Sequence, residues 1–538
     1  MSKELSADGS RFSFPLADFK AGFLVFLIAL PLCLGIAMAS GFPPIAGVLT
    51  AIIGGVLVTF LGSSRLTIKG PAAGLIVIAI GAVQELGQGD PWLGYRRALA
   101  VGAAAACLQI ALALFRSATI GVAMSPSVVH GMLAAIGVII ISKQAHTLVG
   151  VAPQSKEPLA LLAEIPQSIA HANPEILLMG GLSLLILFGL PWIKARWARV
   201  LPAPIIVLVV TVPLSLWFGL DHSHAYQFSS HQFDVGPDFL VTLPGSLPDA
   251  IVTPDFSMVF TGTSMKYVVM FALVGTIEST LSVIAVDAMD PEKRTSNLNR
   301  DLLALSVGNL LCALIGGLPM ISEIVRSKAN VDAGAKSHWA NFFHGTFLLL
   351  FVAAVPGLLQ EIPLAALAAM LVYTGTRLAS PKELVHVKHI GLDQLILFVT
   401  TLVTTLATDL LIGVATGIVL KIILHRARGA TFKQLFRTRV EQIEEGTELR
   451  LKLHGAAAFT SFLGVRKAIA NHPESCEKIV IDVSDVVIVD HTFLRRVSEL
   501  ANEVPGIELE LRGMENLTPY SPHPHATRRR TRHAVGQG

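Results

Sequence analysis

Three apolar stretches of this 538-residue chain contain groups that an apolar environment does not readily accept. In LTIKGPAAGLIVIAI, Gly70 and Pro71 break the run. In IGGLPMISEIVRSKA, the break spans Gly316 to Pro319, and in FALVGTIESTLSVIAVD a carboxylate, Glu278, stands near the middle. A helix that starts at a break points unpaired N–H groups and the positive end of its dipole at one place. Proline suits such a start because it has no N–H to leave orphaned. Two starts facing each other form an anion site without any side chain.

Arg326, about two turns past the second break, adds positive charge there or snorkels toward water. Lys69, just before the first break, has the same two readings. Glu278 and Ser282 lie four residues apart on one helical face, with Gly275 a turn earlier leaving space. A carboxylate so placed holds a proton, a cation, or a hydrogen bond to a neighbouring helix. Glu323, three residues before Arg326, can pair with it, which either trims the positive charge of the site or is purely structural. His130 and His344 read as packing residues. The threonines of FVTTLVTTLATDLL read as bonding back to helix carbonyls. His222, His224 and His231 are spaced too irregularly for a metal cage.

The elements that must position these groups are membrane helices. The chain is 52% apolar and 15% charged, against about a quarter charged in soluble domains, which excludes a soluble enzyme. A net charge of +3 gives no sign of a nucleic-acid partner. Four scattered cysteines form neither a metal cage nor a disulfide framework. After a polar segment, 1–20, fourteen apolar runs fill residues 21–425, at about 20 residues per crossing. The first is 21–39, the third 68–83, the eighth 267–288, the tenth 318–328 and the last 409–425. An even count puts both termini on one side. Loops on that side hold Lys194, Arg196, Arg199, Lys293, Arg294 and Arg300, whereas the loop from Asp221 to Thr263 on the other side has no Lys or Arg. Both termini are therefore expected in the cytoplasm, with the chain in the inner (plasma) membrane. The breaks fall at matching depths, about 50 residues from Ala21 to Pro71 and from Tyr267 to Pro319, the mark of inverted repeats, here 21–219 and 267–425.

After His425 the pattern changes. Residues 438–515 alternate as a small α/β domain does: ELRLKLHG and KIVIDVSDVVIVD read as strands, HTFLRRVSELANEV as a helix, IELELRG as a strand. Residues 516–538, with RRRTR, read as a disordered basic tail.

The stretch Gly308–Ser337, GNLLCALIGGLPMISEIVRSKANVDAGAKS, carries Gly-Asn, Gly-Gly-x-Pro, Arg-Ser and Asn-x-x-x-Gly-Ala-Lys. With KGPAAG, ALP in the first run and TDLLIGVATGIVL near the last, it resembles the sulfate permease (SulP) family of anion transporters. IVIDVSDVVIVDHT is similar to the strand and turn of a STAS domain. The resemblance implies a polytopic α-helical membrane protein with 14 spans in a 7+7 inverted repeat, two half-helices, core and gate subdomains, a C-terminal α/β STAS domain and a homodimer. It places the anion between half-helices beginning near Ala72 and Ile321. The substrate site is then Gly70, Pro71, Ala72 and Ala73 on one side and Ile321, Ser322, Glu323 and Arg326 on the other. The resemblance assigns Glu278 and Ser282 to the coupling ion. Three positions depart from the family pattern: Glu323 replaces a small residue, Leu32 a polar one, and His491, beside Thr492, a phosphorylated serine.

These readings point to a secondary active transporter of a small inorganic anion, working by alternating access with Na+ or H+ symport and needing no other cofactor. A monovalent anion entering a negative-inside cell works against about 2.3 kcal/mol per 100 mV, which one accompanying cation cancels. With Glu323 trimming the charge, bicarbonate comes first, then sulfate, then a C4-dicarboxylate. An uncoupled channel and a STAS-based membrane signalling scaffold are the rivals. No triad, metal cage or phosphate loop supports an enzyme.

Overall fold

The computed structural model describes residues 15–118, 124–155, 157–194, 201–229, 231–244, 248–436, 439–470, 476–500 and 507–530. Each of the fourteen expected apolar runs carries a helix. The first half holds α1 (Leu16–Ala39), α2 (Pro44–Leu61), strand β1 (Ile68–Pro71), α3 (Ile76–Gly87), α4 (Pro91–Leu114), α5 (Pro126–Leu148), α6 (Pro174–Gly189) and α7 (Ala203–Trp217). An exposed hairpin, β2 (His224–Phe228) and β3 (His231–Val235), separates the halves. The second half holds α8 (Gly262–Met289), α9 (Leu298–Ile315), β4 (Met320–Glu323), α10 (Ile324–Asp332), α11 (Trp339–Ala354), α12 (Leu364–Leu378), α13 (Leu392–Ala407) and α14 (Leu410–Ala427). By length and composition, eight of these helices can cross a membrane, while α3, α7, α11 and α13 are shorter apolar helices. Two further helices, Pro158–Ala170 and Pro381–Ile390, lie between runs.

Local chemistry explains the boundaries. Asp90 accepts from the N–H groups of Trp92 and Leu93 ahead of α4, and Asn297 and Asp409 cap α9 and α14 likewise. Pro44, Pro91, Pro126 and Pro174 occupy first-turn positions, where a missing N–H costs nothing. Gly316 ends α9 at φ +100°, a left-handed turn that glycine adopts without strain.

The broken segments behave differently from the expectation that helices begin at once near Ala72 and Ile321. Both continue as extended backbone and pair antiparallel, with Ile68 opposite Glu323, Lys69 opposite Ser322, Gly70 opposite Ile321 and Pro71 opposite Met320. Helical turns resume only at Ala73 on one side and Ile324 on the other. The reason is backbone satisfaction: away from water, extended chain survives only when another strand takes its hydrogen bonds. Arg326 therefore sits in the first turn of α10, not two turns in.

The C-terminal unit is a mixed sheet with two helices, α15 (Phe462–Ala470) and α16 (His491–Leu500). Its strands are β5 (Arg439–Glu445), β6 (Glu448–Ala457), β7 (Lys478–Val489), β8 (Glu508–Arg512), β9 (Leu517–Pro519) and β10 (Arg528–Arg530). Strand β7 is central: β6 pairs it in parallel along one edge, β8 takes the first half of the other edge, and β10 takes Ile488 and Val489. The expected disordered tail at 516–538 is thus corrected over 517–530, where β9 and β10 pair with each other and β10 closes the edge of β7. Composition counts side chains and misses that the end of β7 leaves backbone groups to be paired. Ala526 and Thr527 are buried. Residues 531–538 lie outside the described residues, as do 1–14 of the expected segment 1–20.

A chain ending at residue 516 is expected to lower the melting temperature of the C-terminal unit by several degrees, since strands β9 and β10 and their buried contacts are lost. A thermal scan of the purified protein checks this; an unchanged transition would restore the disordered-tail reading.

Candidate functional site

The ladder between β1 and β4 is held from every side by buried polar groups. The Asn309 amide of α9 accepts from the N–H of Met320 at 2.7 Å and donates to the same residue's carbonyl at 3.2 Å. It also donates to Gln109 of α4 at 3.1 Å. From α11, the Asn341 carbonyl oxygen accepts from the N–H of Lys69, and its amide donates to the Gly54 carbonyl at 3.0 Å. The Ser327 hydroxyl accepts from the N–H of Ile68 at 2.8 Å.

Lys69 belongs to this scaffold. Its ammonium lies 2.5 Å from Asp301 and donates to the Ser322 hydroxyl at 2.8 Å, while Asp301 also accepts from the N–H groups of Ser63 and Ser64. Both side chains are almost fully buried. Of the two readings for Lys69, anion ligand or snorkelling cation, the geometry supports neither; it is the buried half of an ion pair.

Four other buried groups keep polar atoms without a partner. Both carboxylate oxygens of Glu278, one of Glu323, one guanidinium nitrogen of Arg326 and both ring nitrogens of His344 have none. Buried polar atoms are seldom left unpaired, and a group of them in one place calls for a functional explanation. Glu278, on α8, faces the helical turn Ala73–Leu75 that leads into α3, so closely that a Cβ on Gly74 would collide with its carboxylate. Gly70 is glycine for a similar reason: a Cβ there would lie 2.5 Å from a guanidinium nitrogen of Arg326. Glu278 and Glu323 are near enough to repel one another, and Arg326 acts on both Glu323 and His344. The site residues named from sequence therefore converge: Gly70 and Pro71 in β1, Ala72 and Ala73 beyond it, Ile321, Ser322 and Glu323 in or beside β4, and Arg326 and Glu278 around them.

Several details differ. Glu323 and Arg326 form no salt bridge among the described residues, because Glu323 is still extended and the one-face geometry of a helix does not apply. Arg326 donates instead to the Cys33 thiol of α1 at 3.4 Å. Leu32, flagged as a departure, turns into an apolar cluster. Sequence showed neither which of the two faces inward nor that Cys33 reaches Arg326. Gly275 does not open space beside Glu278; it accommodates the Gln109 amide. Ser282 is half-buried one turn along α8, while the adjacent Ser279 hydroxyl accepts from the N–H of Ser322 at 3.2 Å and ties α8 to β4. His344, expected as a packing residue, is buried with both ring nitrogens unpartnered and close enough to Arg326 to feel its charge. His130 lies 3.3 Å from Glu383 and is only partly buried.

Of the threonines in FVTTLVTTLATDLL, Thr401 and Thr408 bond back to carbonyls four residues earlier, whereas the buried Thr405 hydroxyl has no partner among the described residues. His222 pairs with Asp221 and stacks on His224, and among the described residues no His, Cys, Asp and Glu group is placed to hold a metal.

Comparison with known proteins follows the same lines. The model of the sulfate permease family matches residues 16–402. A putative sulfate transporter of Bacillus subtilis, YvdB, is 25% identical over 386 residues, covering 71% of this chain and 68% of that protein. The bicarbonate transporter BicA of Synechocystis is 23% identical over 489 residues, covering 87% and 82%. Among solved structures, the transmembrane domain of a cyanobacterium bicarbonate transporter BicA superposes with a TM-score of 0.63 at 22% identity, over 74% of this chain and 97% of that one. The murine Solute Carrier 26 family member A9 anion transporter, in the inward-facing state, gives 0.65 at 15% identity over 93% and 86%. At these identities the superpositions establish the fold.

Lys69→Met is expected to destabilise the protein by about 3–5 kcal/mol, since it strands Asp301 as a buried, unpaired charge. The double variant Lys69→Met with Asp301→Leu should recover most of that loss, read by thermal unfolding in detergent. If the single variant is as stable as the parent, the ion pair is not what locks the ladder.

Proposed function

The chain belongs to the sulfate permease family and is a multi-pass membrane transporter of anions, not an enzyme; we propose that its substrate is bicarbonate, carried with a coupling cation by alternating access. The observation that carries this reading is the cluster of unpartnered buried atoms on Glu278, Glu323, Arg326 and His344 at the crossing of the broken helices. The first turns of α3 and α10 supply orphaned N–H groups and positive dipole ends, and Arg326 supplies fixed charge, which together suit an anion.

Charge bookkeeping argues for coupling. With both carboxylates and the guanidinium ionised, the site carries one net negative charge before any anion arrives. A second negative charge in a water-poor site needs a compensating proton or sodium ion, and Glu278 is placed to hold it. Co-transport with one cation also removes the electrical work of bringing a monovalent anion into a negative-inside cell. Glu323 near Arg326 favours one negative charge over two. Relatives named for bicarbonate are compatible with this choice.

Sulfate is the second reading. Relatives named as sulfate transporters support it, and so does the absence of a salt bridge between Glu323 and Arg326, which leaves one guanidinium nitrogen unpartnered for a dianion. In either case we place the protein in the inner membrane with both termini cytoplasmic, working as a homodimer, with the C-terminal sheet as a STAS domain.

Uptake of labelled bicarbonate, sulfate and succinate into proteoliposomes, with and without sodium and pH gradients, tests the proposal. Gradient-dependent bicarbonate uptake is expected; preference for sulfate or succinate would overturn the substrate. Glu278→Gln should abolish accumulation against a gradient while the protein stays folded, and full accumulation by that variant would remove Glu278 from coupling. Glu323→Ser is expected to raise the sulfate-to-bicarbonate ratio by about tenfold, the worth of about 1.4 kcal/mol. An unchanged ratio would take Glu323 out of selectivity.

A further inference from the structure

The segment after β8 does more than close the sheet. Leaving β9, the chain crosses to the membrane domain, where the Ser521 hydroxyl donates to the Ile390 carbonyl at 2.5 Å and the Thr527 hydroxyl to Asp393 at 2.9 Å. Arg428, just past α14, donates to Asp393 at 2.8 Å and stacks 4.1 Å from the Tyr520 ring. The chain then returns as β10. The segment is a strap that binds the C-terminal unit to the start of α13 and the end of α14.

Histidines gather under it. The ring of His523 lies 6.3 Å from His386 of helix Pro381–Ile390, 6.5 Å from His491 of α16 and 5.6 Å from His525. Two of the rings are held by bonds that define where a further proton would go. The Nδ1 of His523 accepts from the N–H of His525 at 3.1 Å, so protonation there removes an acceptor that shapes the strap. His491 Nδ1 lies 2.8 Å from the His525 carbonyl and must carry the donating proton. Its Nε2 is then the free nitrogen, and it is buried without a partner.

We propose that residues 517–530 form an acid-released strap, docked on the membrane domain while His491, His523 and His525 are neutral and freed when they take up protons. The surrounding charges support this sense. From α16, Arg495 bears on His491 and His525 while pairing with Glu499 at 3.0 Å, and Arg496 pairs with the same carboxylate at 2.6 Å. Lys421 of α14 also bears on His491 but is held by Asp490 at 3.0 Å, with His425 on the same carboxylate. From the membrane domain His386 and His389 bear on His523, whereas Glu383 lies 3.3 Å from His130. Of the nearby carboxylates, Asp393, Asp490 and Glu499 already have Arg or Lys partners, and Glu383 faces His130.

Burial pushes His491 down to about 4, and lowers His523 and His525. The docked strap therefore binds protons less well than the free one. Docking is complete above the ordinary histidine value of about 6.5 and weakens as pH falls from there toward about 4. Each proton taken up on release shifts the equilibrium by up to about tenfold per pH unit.

Hydrogen–deuterium exchange of the full-length protein in nanodiscs, corrected for intrinsic rates, tests the proposal between pH 7.5 and 5.5. Protection of residues 517–530 is expected to fall about tenfold or more over that range, while the β5–β6 hairpin stays protected. His523→Asn, which keeps an oxygen acceptor near the Nδ1 position but cannot be protonated, should flatten the profile; His491→Asn serves as a second variant should the first fail to fold. A strap whose protection is unchanged at pH 5.5, equal pH dependence in the folded variants, or loss of protection across the whole C-terminal unit at once would each overturn it.

Discussion

Eight residues of extended backbone, four in β1 and four in β4, determine the rest of the membrane domain. Extended chain inside an apolar protein leaves a donor and an acceptor per residue to be paired, and here each strand serves the other. The pairing fixes where α3 and α10 begin, and so where their orphaned N–H groups point. It also explains the polar residues massed around it: Ser279, Asn309, Ser327, Asn341 and the Lys69–Asp301 pair hold the ladder from four helices, α8 to α11. None of these contacts needs a substrate. They are the rigid frame against which a small set of unpartnered atoms stands out.

That set shows how stability and function divide among residues that look alike. Lys69 and Arg326 are both buried cations near a break, and both were candidates for the site. Lys69 has its carboxylate at 2.5 Å and is neutralised within the frame, while Arg326 has a thiol for a partner and a nitrogen to spare. Asp301 and Glu278 divide the same way. A buried charge that is fully paired contributes to folding; one left incompletely paired is held in readiness for something that arrives and leaves.

The C-terminal unit extends the same logic to its junction with the membrane domain. Asp490, at the turn into α16, is buried and shared between Lys421 and His425 of α14, and Lys421 also donates to Thr492. With the strap at Ser521 and Thr527, the junction adds charged and titratable groups to a small apolar cluster around Ile422, Ala430, Ala458 and Ile488. Such a contact can be held or released by changes in charge state that leave either domain's core untouched.

Much of this was legible in the residues alone. Apolar runs gave the fourteen helices of the membrane domain, because a 20-residue apolar segment has few other uses. The Gly/Pro breaks and Glu278 marked the site, since such residues are expensive in lipid and therefore informative. What sequence could not supply was rotation, pairing and partner. Whether Leu32 or Cys33 faces Arg326 depends on how α1 is turned. That residues 320–323 form a strand, not a helix start, depends on a second strand some 250 residues away. Glu323 and Arg326 fail to pair for the same reason. The basic stretch 528–530 read as solvated tail because its side chains are polar, yet its backbone was needed to close the edge of β7. Composition and spacing decided which residues are costly to bury; only the tertiary structure decided which of them find partners, because a partner is a matter of proximity between segments that the chain order keeps far apart.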